Sequence, residues 1–458
     1  MKVVVCGAGQ VGSAIARYLS REENDVTIID TNPQIIRQIS DTLDVQGVVG
    51  YASHPDVLEQ AGAADSDLLI AVTHADEVNM VACSIAHSVF EVPTKIARVR
   101  AQTYLDSRWV GFIHRSDVGI DAIISPEIEV ARVVARRLEI PGAFDTIALA
   151  DGRVTLIGVR CGADCPVINT PLRQLTELFP DLHISVVAII RNETKIIPSA
   201  DDFMLAGDDV YFVADSQHLS RALAAFGHEE PEARRIIIVG GGNIGQFLAK
   251  LIEDENLAGE VRMIEIDRSR AEKAAQSLKR TIVLQGDALD PEVLAEANAR
   301  ATETVIAVSN DDEVNILASL LAKRYGAQRS VTLINKMTYA PLLGSLGIDA
   351  VVSPRAITVS TILQHVRRGR IRSVHTLADG FAEIIEADAL ETSKLIGVPL
   401  KEAKLPHGVL VGAILRGDQI ITPRGDSVIE VGDRVVIFAV ADAVKQVEKM
   451  FSVRLEFF

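Results

Sequence analysis

Glycine-rich turns of one form occur twice in this chain, as Gly7-Ala8-Gly9-Gln10-Val11-Gly12 and as Gly240-Gly241-Gly242-Asn243-Ile244-Gly245. Each stands directly behind a short apolar run, Lys2 to Cys6 in one case and Arg235 to Val239 in the other, and each opens a helical pattern. That order of strand, glycine turn and helix leaves few folds open. The first glycine permits a tight turn, the second lets a pyrophosphate approach the backbone, and the third lets the helix pack closely on the strand. A phosphate placed there meets the unpaired amides of a helix N-terminus. Two nucleotide cradles are therefore expected.

The cradles belong to a longer internal repeat. Asp76-Glu77-Val78-Asn79 returns as Asp312-Glu313-Val314-Asn315, Gly119-Ile120-Asp121-Ala122 as Gly347-Ile348-Asp349-Ala350, and Ser125-Pro126 as Ser353-Pro354. Further on, Pro171-Leu172 matches Pro399-Leu400, Pro198 matches Pro423, and Gly207-Asp208-Asp209-Val210 matches Gly432-Asp433-Arg434-Val435. The order is the same in both halves, as a duplication with small loop insertions requires.

Within each half the periodicity changes partway. Strand candidates at Lys2 to Cys6, Asp25 to Ile29, Gln46 to Val49, Leu68 to Val72 and Lys95 to Val99 alternate with helical stretches such as Pro33 to Leu43. Strand and helix in alternation predict a parallel, doubly wound sheet. Beyond it, Val154 to Arg160, Ser185 to Ile190 and Val210 to Val213 read as strands, and Pro171 to Phe179 places Leu172, Leu175 and Phe179 on one helical face. The expected fold class is α/β: a tandem duplication of a Rossmann-like doubly wound parallel-sheet domain followed by a small α+β domain. The expected divisions are 1–125, 140–227, 232–352 and 368–453, with the break between halves at Glu230-Pro231-Glu232. Basic, helical-looking stretches at Glu127 to Leu138 and Ala356 to Arg370 join the parts of each half, their Arg and Lys side chains expected on a solvated face. Gly207-Asp208-Asp209 and Gly432-Asp433-Arg434 read as turns that feed a final strand.

Charge and cysteine usage remove several function classes. Lys and Arg number 46 against 62 Asp and Glu, a formal net charge of −16, which disfavours nucleic-acid binding and unaided adhesion to anionic lipid. Cys6, Cys83, Cys161 and Cys165 are scattered and fit reduced thiols in a cytosolic protein. Cys161 and Cys165 lack a second Cys or His pair at ligand spacing, so no metal site is expected. No segment approaches about 18 uninterrupted apolar residues, and the N-terminus lacks the pattern of a secretory signal, so any membrane role is expected to be peripheral.

The residues around each cradle specify the sugar better than the rest of a ligand. An acid about 20 residues past the turn, at the end of the second strand, accepts ribose hydroxyls. Asp30 stands there in the first half and Glu265 in the second, with Asp267 a nearby competitor. A carboxylate at that place repels a 2′-phosphate, which disfavours NADP and leaves NAD, ATP and ADP open. A strand-end acid facing water is the plainer alternative. Ligands in open α/β sheets sit beyond the carboxyl ends of the strands, so Thr73, His74, Ser309 and Asn310 are expected to line the clefts. Past the third strand, Tyr51 is expected to cover the space that Asp287 uses in the second half for adenine or ribose. Arg98 and Arg100 alternate and are expected on one face, where they neutralise phosphate or pack over the sheet edge. Their counterparts are Leu333 and Asn335, with Lys336 nearby, so the first site is the more cationic.

A dehydrogenase pairs its cofactor domain with a second domain bearing an acid/base over the nicotinamide. Here His183 and His407 stand amid apolar and turn residues, with no catalytic set around them. No catalytic residues are assigned. An NAD-dependent oxidoreductase is the rival reading from another class.

The glycine turns, Asp30, the Asp76-Glu77-Val78-Asn79 block and the small domains ending Gly-Asp-Asp or Gly-Asp-Arg together resemble the TrkA family of bacterial potassium uptake systems along essentially the whole chain. Each half resembles a regulator-of-potassium-conductance module. The resemblance implies a non-enzymatic regulatory subunit that binds NAD(H) or ATP/ADP. It further implies a homo-oligomeric ring, a tetramer, on the cytoplasmic face of the inner membrane, gating a separate potassium-translocating membrane subunit. A regulator of a potassium/proton antiporter is the nearest alternative. The nucleotide contacts implied are Gly7, Ala8, Gly9, Gln10, Val11, Gly12, Asp30, Thr73, His74 and Arg98. By the internal repeat they extend to Gly240, Gly242, Asn243, Ile244, Gly245, Glu265, Asp287, Ser309 and Asn310.

Overall fold

The computed structural model describes residues 1–105, 118–178, 183–230, 233–366, 371–377, 380–393 and 395–451. Phe179, Pro231, Glu232 and 367–370, which figure in the expectations above, lie outside them.

Two parallel six-stranded sheets carry the glycine turns. From edge to edge the first runs Gln46–Val49, Asp25–Asp30, Lys2–Cys6, Leu68–Ala71, Thr94–Arg98 and Ala122–Ile124. The second runs Ile282–Gln285, Glu260–Glu265, Arg235–Val239, Thr304–Ala307, Arg329–Leu333 and Ala350–Val352. Counted along each repeat, the strand order is 3-2-1-4-5-6, so chain direction across the sheet reverses beside the first strand. At such a switch point the loops after the first and fourth strands diverge and leave a crevice. Strands buried on both faces read as continuous apolar runs, and Val3, Val4, Val5 and Cys6 are all at most 1% exposed.

Two antiparallel five-stranded sheets form the small domains. One runs Thr194–Ile196, Ile184–Arg191, Asp209–Asp215, Val154–Arg160 and Ala143–Leu149. The other runs Ile371–Leu377, Ala382–Asp388, Arg434–Val440, Val409–Arg416 and Gln419–Ile421. The fold is thus the expected tandem of Rossmann-like and small α+β parts. The Gly-Asp turns do more than turn: Asp208 Oδ2 accepts the Leu205 N–H at 2.8 Å and its carboxylate holds the Arg191 guanidinium. Asp433 does the same for the Glu430 N–H and Arg416.

The chain divides into two compact units, Met1–Val130 with Pro354–Arg367, and Ala131–Ser353 with Arg368–Phe458. The first unit holds the first parallel sheet and one helix from the far half of the chain, Pro354–Val366. That helix sets Ile362, Leu363 and Val366 into one core with Ile15, Leu19 and Ile28. The second unit holds the other parallel sheet and both small domains. The two small sheets share an apolar core in which Leu156, Tyr211 and Val213 meet Ile384, Leu415 and Phe438. In this unit Arg137 departs from the expected solvated face. Its side chain is only 8% exposed, Nη1 donates to Val351 O at 2.8 Å, and Nη2 pairs with Asp145 at 3.4 Å. A cation in the last turn suits the partial negative charge of the helix C-terminus, and here it also pairs with Val351 O and Asp145.

Candidate functional site

Backbone geometry accounts for the first glycine turn. Gly7 has φ +104°, and a Cβ on it meets Thr73 backbone atoms at 2.9 Å; a Cβ on Gly12 collides with the carbonyl oxygen of Gly7. Both positions therefore exclude larger residues. A Cβ on Gly9 meets nothing within 4 Å, so the space beside this turn is open. The helix Gln10–Arg21 begins here with Gly9 as its N-cap and no capping side chain. Its first-turn amides at Gln10, Val11 and Gly12 lack intrahelical acceptors and face the same opening. Ser13 Oγ donates to Ala8 O at 2.7 Å and holds the turn from behind.

Around that opening the first-half residues come together. Asp30, half-buried at the end of its strand, accepts the Ala8 N–H at 2.7 Å and the Asn32 N–H at 2.9 Å. Thr73 follows the fourth strand. Arg98 Nη2 donates to Thr73 O at 2.7 Å, while Arg98 Nε is buried with no hydrogen-bond partner among the described residues. Burial pulls the guanidinium pKa below its ordinary value, and the Arg100 charge adds to that; a guanidinium still stays charged at any physiological pH. Arg100 does not join it. Its Nε pairs with Glu127 at 2.9 Å, which corrects the expectation that both arginines face one phosphate. Arg100 lies past the strand end, where the two-residue alternation no longer holds. His74 is exposed beside Thr73, and Tyr51, 57% exposed, packs against His54.

The second turn repeats this plan with different partners. Gly240 has φ +105°, a Cβ on Gly245 collides with Gly240 O, and a Cβ on Gly242 meets nothing within 4 Å. Gly242 is the N-cap of helix Asn243–Glu255, again without a capping side chain, which sets Asn243 and Ile244 at the opening. Glu265 is 4% exposed. It accepts the Gly241 N–H at 2.7 Å, the Asp267 N–H at 2.8 Å and the Arg270 guanidinium at 2.9 Å. Asp287 is exposed and accepts the Leu289 N–H at 2.9 Å in its own turn; Ser309 and Asn310 follow the fourth strand as Thr73 and His74 do.

Sequence reasoning left the role of the repeated Asp-Glu-Val-Asn block open. Asn79 Oδ1 accepts the Thr73 N–H at 2.8 Å, and its Nδ2 donates to Thr73 O and Arg98 O. Asn315 makes the same bonds to Ser309 and Leu333. Asp76 accepts the amides of Arg100 and Ala101, and Asp312 those of Asn335 and Lys336. Three residues apart on a helix, the Asp and the Asn share one face and brace the ends of the fourth and fifth strands, the fourth of which borders the crevice. Recurrence of the block with this spacing was the available signal. Among the described residues no cluster of His, Cys, Asp and Glu is arranged to hold a metal.

The family model of the TrkA-N domain matches residues 3–126 and 236–354, and that of the TrkA-C domain residues 156–227 and 384–452. The Trk system potassium uptake protein TrkA of Azorhizobium caulinodans is 54% identical over 458 residues that cover 100% of both chains. The structure of the GsuK channel is similar with a TM-score of 0.62, at 17% identity, over 98% of this chain and 78% of that one. A structure of the GsuK channel bound to NAD gives a TM-score of 0.60, at 17% identity, over 99% and 79%. Both domain models in tandem, and a TrkA relative that matches from end to end, place this chain in the TrkA family.

Proposed function

We propose that the chain is a regulatory, non-enzymatic subunit of a potassium uptake system and that its first pocket binds the ADP portion of NAD(H), or ADP or ATP. The observation that carries this is the open face of Gly9. Uncapped helix amides begin beside it, Asp30 holds the Ala8 amide of the same turn, and the desolvated Arg98 is held to Thr73, whose backbone a Cβ on Gly7 would touch. A diphosphate fits the amides and the cation, and a ribose diol fits the carboxylate. The names of the relatives supply potassium uptake, and NAD is the ligand named for one structure of the same fold.

Nucleotide acts by binding one arrangement of the chain more tightly than another, and that difference is passed to a separate potassium-translocating membrane subunit. The working form is a homo-oligomeric ring, a tetramer, held peripherally on the cytoplasmic face of the inner membrane. No helix among the described residues is long and apolar enough to cross a membrane. Calorimetric titration of the full chain tests the pocket. NADH or ADP is expected to bind the wild type, and Asp30→Ala to weaken binding by about tenfold or more, the loss of roughly 1.4 kcal/mol or more. Equal affinity in the two proteins would refute this assignment of the ribose.

A further inference from the structure

The two pockets differ most at the strand-end acid. Among the described residues, half-buried Asp30 accepts only the two backbone amides of Ala8 and Asn32, which leaves lone pairs on both oxygens for a diol. Glu265 is 4% exposed and, beyond its two amides, takes two N–H groups of one guanidinium on Oε1: Arg270 Nε at 3.2 Å and Nη2 at 2.9 Å. The repeat identifies the change. Asn32 caps the helix Pro33–Thr42 and Asp267 caps the helix Arg268–Ser277, so Arg270 stands where the first half has Ile35. Isoleucine offers the carboxylate nothing, whereas arginine covers it with a charged donor pair. A ribose hydroxyl entering there exchanges a charge-assisted bond for a weaker neutral donor.

We propose that Arg270 is a specificity-determining latch: it closes the second pocket to the ribose diol, so that the wild-type chain takes nucleotide at the first pocket alone. The inference rests on the nucleotide reading of the first pocket given above. The Arg270 side chain is 53% exposed, so the latch is solvated and displaceable, and it weakens the second pocket without dismantling it.

Titration of full-length variants with NADH tests this. The wild type binds one NADH per chain, and Asp30→Ala weakens that site by about tenfold or more. Asp30→Ala combined with Arg270→Ile regains a site about tenfold or more tighter than Asp30→Ala alone shows. In the reciprocal transfer, Ile35→Arg weakens the first pocket by about tenfold. Arg270→Gln, which keeps the stem and a neutral donor, replaces Arg270→Ile if circular dichroism shows the latter unfolded. Two equivalents of NADH bound by the wild type with like affinity would overturn the latch. So would a folded Asp30→Ala/Arg270→Ile or Asp30→Ala/Arg270→Gln protein that binds no better than Asp30→Ala. A folded Ile35→Arg protein that binds like the wild type would count against it equally. A wild type that binds neither NADH nor ADP defeats the reading of the first pocket, and the latch with it, before any latch variant is made.

Discussion

At Gly241 a Cβ would meet Glu265 Cβ at 3.0 Å and Oε2 at 3.1 Å. Gly241→Ala is therefore expected to cost about 1–3 kcal/mol as overpacking. A double-mutant cycle with Glu265→Asp on chemical denaturation measures how much of that cost lies in the longer side chain beyond the shared Cβ. Asn79 stands at the other wall of the first crevice. Asn79→Ala leaves the half-buried amide of Thr73 without its fully buried acceptor and is expected to destabilise by about 1–3 kcal/mol, read from the same denaturation curves. Gly7, Gly12 and Asp30 were legible in the sequence because backbone geometry and strand position dictate those residue types. Asn79 and Arg270 were not, because each acts through a loop or a carboxylate that only the fold brings to it.

Elements with a full apolar stripe were equally legible. The strands Lys2–Cys6 and Arg235–Val239 stand where their β-branched runs lie. The strand Ala143–Leu149 escaped notice because its burial follows no two-residue alternation, and Thr194–Ile196 because it is a short, exposed edge. Between elements, one helix side chain does the work of a cap. Glu253, on the helix Asn243–Glu255, accepts the amides of Lys279, Arg280 and Thr281 at 3.0, 2.8 and 2.7 Å, and the Thr281 hydroxyl at 2.8 Å. Burial pushes its carboxyl pKa up, but these donors outweigh it and bring the pKa down to about 2, from an ordinary value of 4.5. A depressed folded-state pKa gives stability that is fully present above 4.5 and is lost as pH falls through about 2. Melting temperature measured across that window should fall more steeply for the wild type than for Glu253→Gln, which has no such proton to take up.

On the scale of the molecule, the duplication was plain from the order of its blocks, yet no reading of contiguous halves shows where the helix Pro354–Val366 goes. Its apolar residues fit the core of either repeat; the structure sets Ile362, Leu363 and Val366 into the first sheet's core. Ile362→Ala, a change in the second half, is expected to cost about 2–5 kcal/mol as a core truncation. Hydrogen exchange should locate the loss in Lys2–Cys6 and its neighbours rather than in Arg235–Val239. The first pocket is thus built on a unit that draws on both halves of the chain. Control of potassium movement by this pocket is what the proposed function requires. Potassium flux through proteoliposomes that hold the membrane subunit, with full-length wild-type or Asp30→Ala chain added and NADH or ADP titrated, tests it most directly. The expected result is a nucleotide-dependent change of about fivefold or more with the wild type and none with Asp30→Ala. Flux that ignores nucleotide with the wild type, or responds to it equally with Asp30→Ala, would contradict the claim.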